Sequence, residues 1–212
     1  KARFAAYTCG KRTIQGGVVK KLTDKQKSRL WEQQRSVNLQ ASCLLEKGKG
    51  PAEPDIETLA LGPSAPGLPH LCLIHRHLFR NEMKDAGELR TADISKGDIP
   101  FCHFEYIEKV GNELMASLES DKYLVGLQKE EFTDRISHYY CEINMLHPFM
   151  SGNGVAQRIF FEQLAIHAGY VLNWQGIDPD DWASANQSGA MGDLTALNAI
   201  FAKVVSEARG SE

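Results

Sequence analysis

The chain has 212 residues, of which 42% are hydrophobic, and its formal net charge is -3. This length predicts one domain with room for a small appendage, and the hydrophobic fraction is ample for a core. The slightly acidic balance gives no overall positive field to recruit nucleic acid. The sequence contains no run of about 18 apolar residues, so we expect no membrane span.

Cysteine usage and the first residues both bear on location. The five cysteines are an odd number and form no Cys-x-x-Cys pair, which favours reduced thiols over a disulfide framework. The opening Lys1-Ala2-Arg3 lacks the long apolar region of a signal peptide. We therefore expect a cytoplasmic protein.

The N-terminal part predicts a basic arm followed by a helix. Residues 1–21 are rich in basic residues and glycine, and we interpret them as a solvated arm, with nucleic-acid binding by a helical regulator as a distant alternative. Thr23 or Asp24 can cap a helix that runs to about Glu46, with Trp31 docked on the main body. Its predicted inward residues recur at helical spacing: Leu22, Leu30, Val37 and Leu44.

The next segments predict two helices and a short hairpin. A short helix is expected over 55–60 and an amphipathic helix over 71–86. In the latter, His75 and His77 lie two residues apart and so on different faces, which argues against a shared metal, and we predict no metal site. Residues 91–104 predict a hairpin that turns near Gly97.

The C-terminal half predicts helices joined by short connections. The strongest periodic pattern covers 131–146, and the other predicted helices cover 106–118, 154–168, 180–186 and 192–209. The total is about seven or eight helices with one short hairpin. The sequence therefore predicts an all-α domain.

The most informative stretch joins two of these helices at 147–158 and reads His-Pro-Phe-Met-Ser-Gly-Asn-Gly-Val-Ala-Gln-Arg. Gly152, Asn153 and Gly154 can reach backbone angles that turn successive N–H groups into one concavity, at the start of a helix. Arg158 lies one helical turn further on, and His147 is a candidate base. The structural alternative is a tight helix connection with a solvated arginine, and composition alone favours it.

The stretch resembles the signature of the Fic family of protein adenylyltransferases, His-Pro-Phe-x-x-Gly-Asn-Gly-Arg-x-x-Arg. The similarity extends from about residue 68 to about 205 and resembles the stand-alone bacterial Fic toxins. This specific signal outweighs the structural alternative. Seven positions match in register: His147, Pro148, Phe149, Gly152, Asn153, Gly154 and Arg158.

The resemblance implies an all-α Fic-domain helical bundle over 68–212, after the arm at 1–21 and a helical segment at 22–67. It implies that AMP passes from ATP to a hydroxyl of a target protein. His147 would be the general base, the Gly152–Gly154 turn with the Asn153 side chain would hold the phosphates, and Arg158 would clamp the β/γ end. The hairpin would be a flap that docks the target through Ile99, Pro100, Phe101 and Cys102.

Two positions depart from the signature. Ser151 stands where the family has the acidic residue that holds Mg²⁺, and Val155 stands where it has an arginine. We expect ATP to bind, with Mg²⁺ weakly held, and transfer to be slower than in an enzyme with the full signature. The alternatives are a degenerate Fic domain that binds nucleotide or antitoxin without efficient transfer, and a different phosphate donor.

Partners follow from the resemblance as well. Fic enzymes are often inhibited by a helix carrying Ser/Thr-x-x-x-Glu-Gly/Asn, and no Glu in this chain precedes Gly or Asn. We therefore expect a separate small antitoxin whose glutamate pairs with Arg158, as in a toxin–antitoxin pair. By family analogy, the target would be an ATPase subunit of a bacterial type II topoisomerase.

Overall fold

The computed structural model describes residues 22–47 and 55–209, so the basic arm predicted at 1–21 lies outside the described residues. The described chain is mostly helical, which confirms the predicted class. Its helices are α1 (Asp24–Leu45), α2 (Leu68–Phe79), α3 (Ile107–Ser120), α4 (Lys129–Leu146), α5 (Asn153–Ala168), α6 (Pro179–Ala190) and α7 (Thr195–Val204). Among these helices, none has the length and apolarity that a bilayer crossing requires.

Two small antiparallel sheets accompany the helices. Strands β1 (Ser95–Lys96) and β2 (Ile99–Pro100) form the hairpin that the sequence predicts. Strands β3 (Tyr170–Leu172) and β4 (Val205–Glu207) form a second pair that the sequence did not predict. The second sheet ties the end of the described chain to the segment that follows α5.

Helix α5 is the centre of the molecule. It packs against α1, α2, α4 and β3, so almost every one of its residues is buried, including polar ones. Because α5 is enclosed on all sides, its buried residues are not confined to one apolar stripe. Its polar side chains anchor neighbouring segments: Gln157 donates to the Tyr140 carbonyl, and Gln163 donates to the Ala60 carbonyl.

Helix α1 begins as the sequence predicts but faces the core differently. Thr23 and Gln26 form a capping box, and Trp31 is 1% exposed, with its Nε1 donating to the Leu59 carbonyl at 2.7 Å. Val37 and Leu44, which were predicted to face inward, are 44% and 71% exposed. The buried face carries Asn38 and Ser42 as well as apolar residues, because these two side chains hydrogen-bond to the Leu172 carbonyl and to Arg158.

Other predicted boundaries need correction. Residues 55–60 form a turn rather than a helix, because their backbone is engaged by other segments: the Asp55 N–H donates to Leu78, and the Leu59 carbonyl accepts from Trp31. The helix predicted over 71–86 is α2, which starts and ends earlier, and that predicted over 192–209 ends in strand β4.

A buried carboxyl group joins α5 to its surroundings. Glu162 is 3% exposed, and its Oε1 accepts from Trp174 Nε1 at 2.6 Å. Burial raises the pKa of Glu162 to about 8, while hydrogen bonds from Trp174 and Asn38 oppose that rise. The folded protein therefore holds the Glu162 proton more tightly than the unfolded chain does.

We predict that Glu162→Gln removes a pH dependence of stability. Since the pKa is raised on folding, the free energy of unfolding of the native protein falls as pH rises from about 4 to about 8, by up to about 1.4 kcal/mol per pH unit. The free energy of unfolding of Glu162→Gln should therefore rise relative to that of the native protein over this range, as measured by urea denaturation at pH 5, 6.5 and 8. Glu57→Gln, at an exposed carboxylate, is the control, and an advantage independent of pH would contradict the assignment.

Candidate active site

His147 lies at the junction between α4 and the turn that follows it. It is the C-cap residue of α4, and its φ of 44° places it in the left-handed region. Nδ1 lies 3.1 Å from the Asn144 carbonyl oxygen, which can only accept, so Nδ1 carries the proton and Nε2 holds the lone pair. Burial lowers the pKa of His147 to about 4, and nearby Arg90 and Lys96 act in the same direction. The ring is therefore neutral at pH 7 and has the form that a general base requires.

The predicted anion-binding turn precedes α5. Gly152 has φ 74° and is the N-cap of the helix, so α5 begins at Asn153, one residue before the predicted start. The first N–H groups of such a helix have no partner within it and can receive an anion. The Asn153 side chain has another role: it accepts from the Phe149 N–H at 2.9 Å and donates to the Phe149 carbonyl at 2.7 Å. Asn153 thus fixes the shape of the turn.

Arg158 is deeply buried, contrary to the solvated alternative. Its side chain is 1% exposed, and its Cζ lies 5.8 Å from the centre of the Trp182 ring. Nε donates to Ser42 Oγ at 2.6 Å, and Nη2 donates to the Ser42 carbonyl at 3.0 Å and to Glu46 Oε1 at 2.5 Å. The guanidinium that was predicted to clamp phosphate is therefore held by helix α1 of the same chain.

The carboxylate of Glu46 also fills the space beside the turn. A Cβ added at Gly154 would lie 2.1 Å from Glu46 Oε1, so only glycine lets the carboxylate approach so closely. Glu46 thus contacts both predicted phosphate-binding elements, the turn and the arginine. A phosphate group on these elements would have to displace it.

The inhibitory pattern did not predict the contact between Glu46 and Arg158, because of the residue after Glu46. Ser42 and Glu46 have the spacing of the inhibitory pattern, but Lys47 follows where the pattern requires Gly or Asn. Lys47 has φ 50°, in the left-handed region that Gly and Asn favour, and it pairs with Asp180. A search for Ser-x-x-x-Glu at the end of a helix, without the residue after it, would have found the contact.

The predicted flap lies against the candidate base. The Phe101 ring stacks on the His147 ring with centroids 3.8 Å apart, and the Cys102 N–H donates to the Met145 carbonyl at 3.0 Å. Ile99 and Pro100 form strand β2, and Pro100 is exposed. The structure thus brings the predicted docking residues next to His147.

The two departures from the signature have different surroundings. Ser151 is exposed, and its carbonyl accepts from His75 Nε2 at 2.9 Å, whereas Val155 is fully buried in the core. The turn therefore offers Mg²⁺ no carboxylate, and no cluster of three or more His, Cys, Asp or Glu side chains occurs within 22–47 and 55–209. These residues do not fit the expected Mg²⁺ site.

His75 is a supporting residue whose role the sequence did not reveal. The Gly87 N–H donates to its Nδ1 at 2.8 Å, so Nε2 carries the proton that it donates to Ser151. Its ring stacks on Phe149 with centroids 3.9 Å apart. His75 therefore supports the turn as a neutral donor, and both of its ring nitrogens are engaged in hydrogen bonds.

We predict that His147 lowers stability in acid. Because its pKa falls on folding, stability is complete above the unfolded value of about 6.5 and is lost as pH falls towards 4, by up to about 1.4 kcal/mol per pH unit. His147→Gln should lose less stability than the native protein between pH 6.5 and 4, as measured by urea denaturation. Equal losses in the two proteins would show that His147 titrates normally.

Comparisons with known proteins match two separate parts of the chain, one that contains Arg158 and one that contains α1. The model of the Fic/DOC family matches residues 67–165, which contain the turn, His147 and Arg158. A model described as YhfG matches residues 20–60, which contain α1. The uncharacterized protein YhfG of Escherichia coli K12 is 75% identical over 28 residues, 13% of this chain and 51% of that protein.

Similarity over most of the chain points to the same family. The probable protein adenylyltransferase Fic of Escherichia coli K12 is 65% identical over 155 residues, which cover 73% of this chain and 78% of that protein. The crystal structure of the BepC protein of Bartonella tribocorum with bound AMPPNP has the same fold, with a TM-score of 0.66 at 19% identity, over 85% of this chain and 89% of that one. The chain therefore belongs to the Fic/DOC family.

Proposed function

We propose that this protein is a protein adenylyltransferase whose nucleotide site is closed by its own helix α1. The signature loop and the relatives named as protein adenylyltransferases support the activity. The observation that carries the proposal is the contact of Glu46 with Arg158 and with the turn at Gly154. The protein would combine a transferase and its inhibitor in one chain.

The reaction uses residues that the fold already places together. Nε2 of His147 takes the proton of a target hydroxyl as its oxygen attacks the α-phosphorus of ATP. A new P–O bond forms, the bond to the bridging oxygen of the β-phosphate breaks, and pyrophosphate leaves. The backbone N–H groups at the start of α5 hold phosphate oxygens, and Arg158 binds the β/γ end once Glu46 has left it. Most of the rate gain would come from positioning and charge stabilisation.

The flap would bind the target protein. Strand β2 runs along an open edge, and a target segment could add to it as a further strand, which holds a backbone without selecting a sequence. The stack of Phe101 on His147 sets this edge close to the base. The target would be a hydroxyl-bearing protein, and the topoisomerase subunit stays a prediction from family analogy.

The toxin–antitoxin role takes a particular form here. The inhibitory glutamate lies in the part of the chain that matches YhfG, and the arginine lies in the part that matches Fic/DOC. We propose that α1 performs the task expected of a separate antitoxin, in a cytoplasmic protein. A separate partner would have to displace α1 from Arg158.

A second candidate is a nucleotide-binding protein without efficient transfer. Two residues favour it. Ser151 lacks the carboxylate that binds metal in the family signature, and Val155 has an apolar side chain, buried in the core, in place of the arginine. The turn, Arg158 and His147 are kept in this candidate, and only the chemical step is weak. Binding and transfer must therefore be measured separately.

We predict that Glu46→Gln raises the affinity for ATP. The variant keeps the shape of the side chain but removes the charge-assisted hydrogen bond that competes with phosphate for Arg158, an interaction worth about 1.5–3 kcal/mol, so affinity should rise about tenfold or more. Isothermal titration with ATP measures it.

The matched control is Glu57→Gln, which removes the carboxylate that pairs with Arg35 on α1, away from the turn. It should leave ATP affinity unchanged. An equal affinity in native protein and Glu46→Gln would show that Glu46 does not close the site.

We predict that Ser151→Glu raises transfer in the Glu46→Gln background when Mg²⁺ is supplied. The exposed position can accept the carboxylate and give Mg²⁺ an oxygen ligand. Incorporation of label from α-labelled ATP into proteins of a bacterial lysate measures transfer. Val155→Arg, the change at the other departure from the signature, should raise transfer less, because it places a guanidinium in the core.

His147→Ala in the same background is the control for this measurement, and it should remove all label. Label on a discrete band that requires His147 supports adenylyl transfer. ATP binding without label in any variant supports the second candidate. Equal labelling with and without Ser151→Glu would show that the missing carboxylate does not limit the rate.

A further inference from the structure

Arg90 is a buried arginine that the proposed reaction does not yet use. Its side chain is 0% exposed, its nitrogens donate to backbone carbonyls, and Nη1 lies 3.8 Å from Asp93 Oδ1. Nε donates to the His147 carbonyl at 2.8 Å, and Nη1 donates to the Ala92 carbonyl at 2.7 Å. Nη2 donates to the Cys102 carbonyl and lies 3.4 Å from that of Leu146.

These contacts join two parts of the site that are distant in sequence. Leu146 and His147 form the end of α4, and Cys102 is the last of the predicted docking residues of the flap. The backbone adds two further bonds, from the Arg90 N–H to the Pro148 carbonyl at 2.9 Å and from the Cys102 N–H to the Met145 carbonyl. One side chain therefore connects the residue that carries the base to the segment that would hold the target.

The contacts also explain how His147 keeps an unfavourable backbone conformation. A non-glycine residue in the left-handed region costs about 1–2 kcal/mol and persists where its surroundings hold it in place. The last carbonyls of a helix lack partners within the helix and attract cations. Arg90 supplies both a cation and a fork of donors at the end of α4.

We propose that Arg90 is a positioning residue that fixes His147 and the flap as one unit, so that the base and the target strand keep a constant relative orientation. The proposal rests on the proposed function, in which His147 takes the proton and the flap docks the target. Lysine cannot replace arginine in this role, because its compact ammonium lacks the planar fork that reaches several carbonyls at once.

The first test is spectroscopic and does not require activity. In the native protein, the stacked Phe101 ring should shift the His147 ring protons upfield, and the ring nitrogens should show the Nδ1–H tautomer. In Arg90→Met these signals should move towards those of an exposed histidine, and in Arg90→Lys they should move part of the way. His147→Gln assigns the signals by removing them.

The second test separates positioning from general destabilisation. In the Glu46→Gln/Ser151→Glu background, Arg90→Met should lower kcat about 10²-fold, since small misplacements of a base have effects of this size. ATP affinity should stay within about twofold, because Arg90 contacts neither the turn at 152–154 nor Arg158. Arg35→Lys is the matched control, since Arg35 also donates to a carbonyl, that of Leu59, about three helical turns of α1 before Glu46.

The outcomes are distinct. Unchanged His147 signals in both folded variants, or a loss of ATP binding in proportion to a lower melting temperature, would overturn the proposal. If Arg90→Met does not fold, Arg90→Lys decides by the same signals. If the His147 signals move but no variant, including the parent, transfers label, the role of Arg90 stands and the proposed transferase activity fails.

Discussion

The buried guanidinium of Arg158 is the group on which both the fold and the site depend. A cation removed from water requires partners, and here one turn of α1 supplies hydrogen-bond acceptors through Ser42 and Glu46. Removing one partner would leave the charge uncompensated, so α1 has to stay docked while the site is empty. In the proposed function, ATP would offer the same arginine an alternative anion, so occupation of the site would compete with docking of the helix.

Local features of the sequence predicted much of this arrangement. The cap of α1 at Thr23, the apolar pattern of α4 and the hairpin at Gly97 are all set by residues close in sequence. The signature predicted a turn between His147 and a helix that carries Arg158, and the structure places α5 directly after that turn. These parts need no information about distant contacts.

The parts that the sequence did not predict depend on distant contacts. A search for apolar spacing placed Leu44 inward, but Asn38 and Ser42 are buried on α1 because they meet Leu172 and Arg158. Strand β4 pairs with β3 although α6 and α7 separate the two strands in the sequence, and neither three-residue strand has a local sequence pattern that predicts it. Arg90 resembles any arginine in a loop until the fold encloses it among carbonyls.

The covalent link between α1 and the Fic/DOC part would change how the proposed inhibition works. A separate inhibitor dissociates on dilution, whereas a tethered one acts at an effective concentration on the order of millimolar, whatever the protein concentration. Under this proposal, the apparent affinity for nucleotide would be the intrinsic affinity multiplied by the fraction of molecules in which α1 has left Arg158. Lys47 would influence that fraction, because its left-handed conformation lowers the stability of the docked helix end while its ion pair with Asp180 opposes the effect. The balance at this one residue would then set how readily Glu46 yields its place to phosphate.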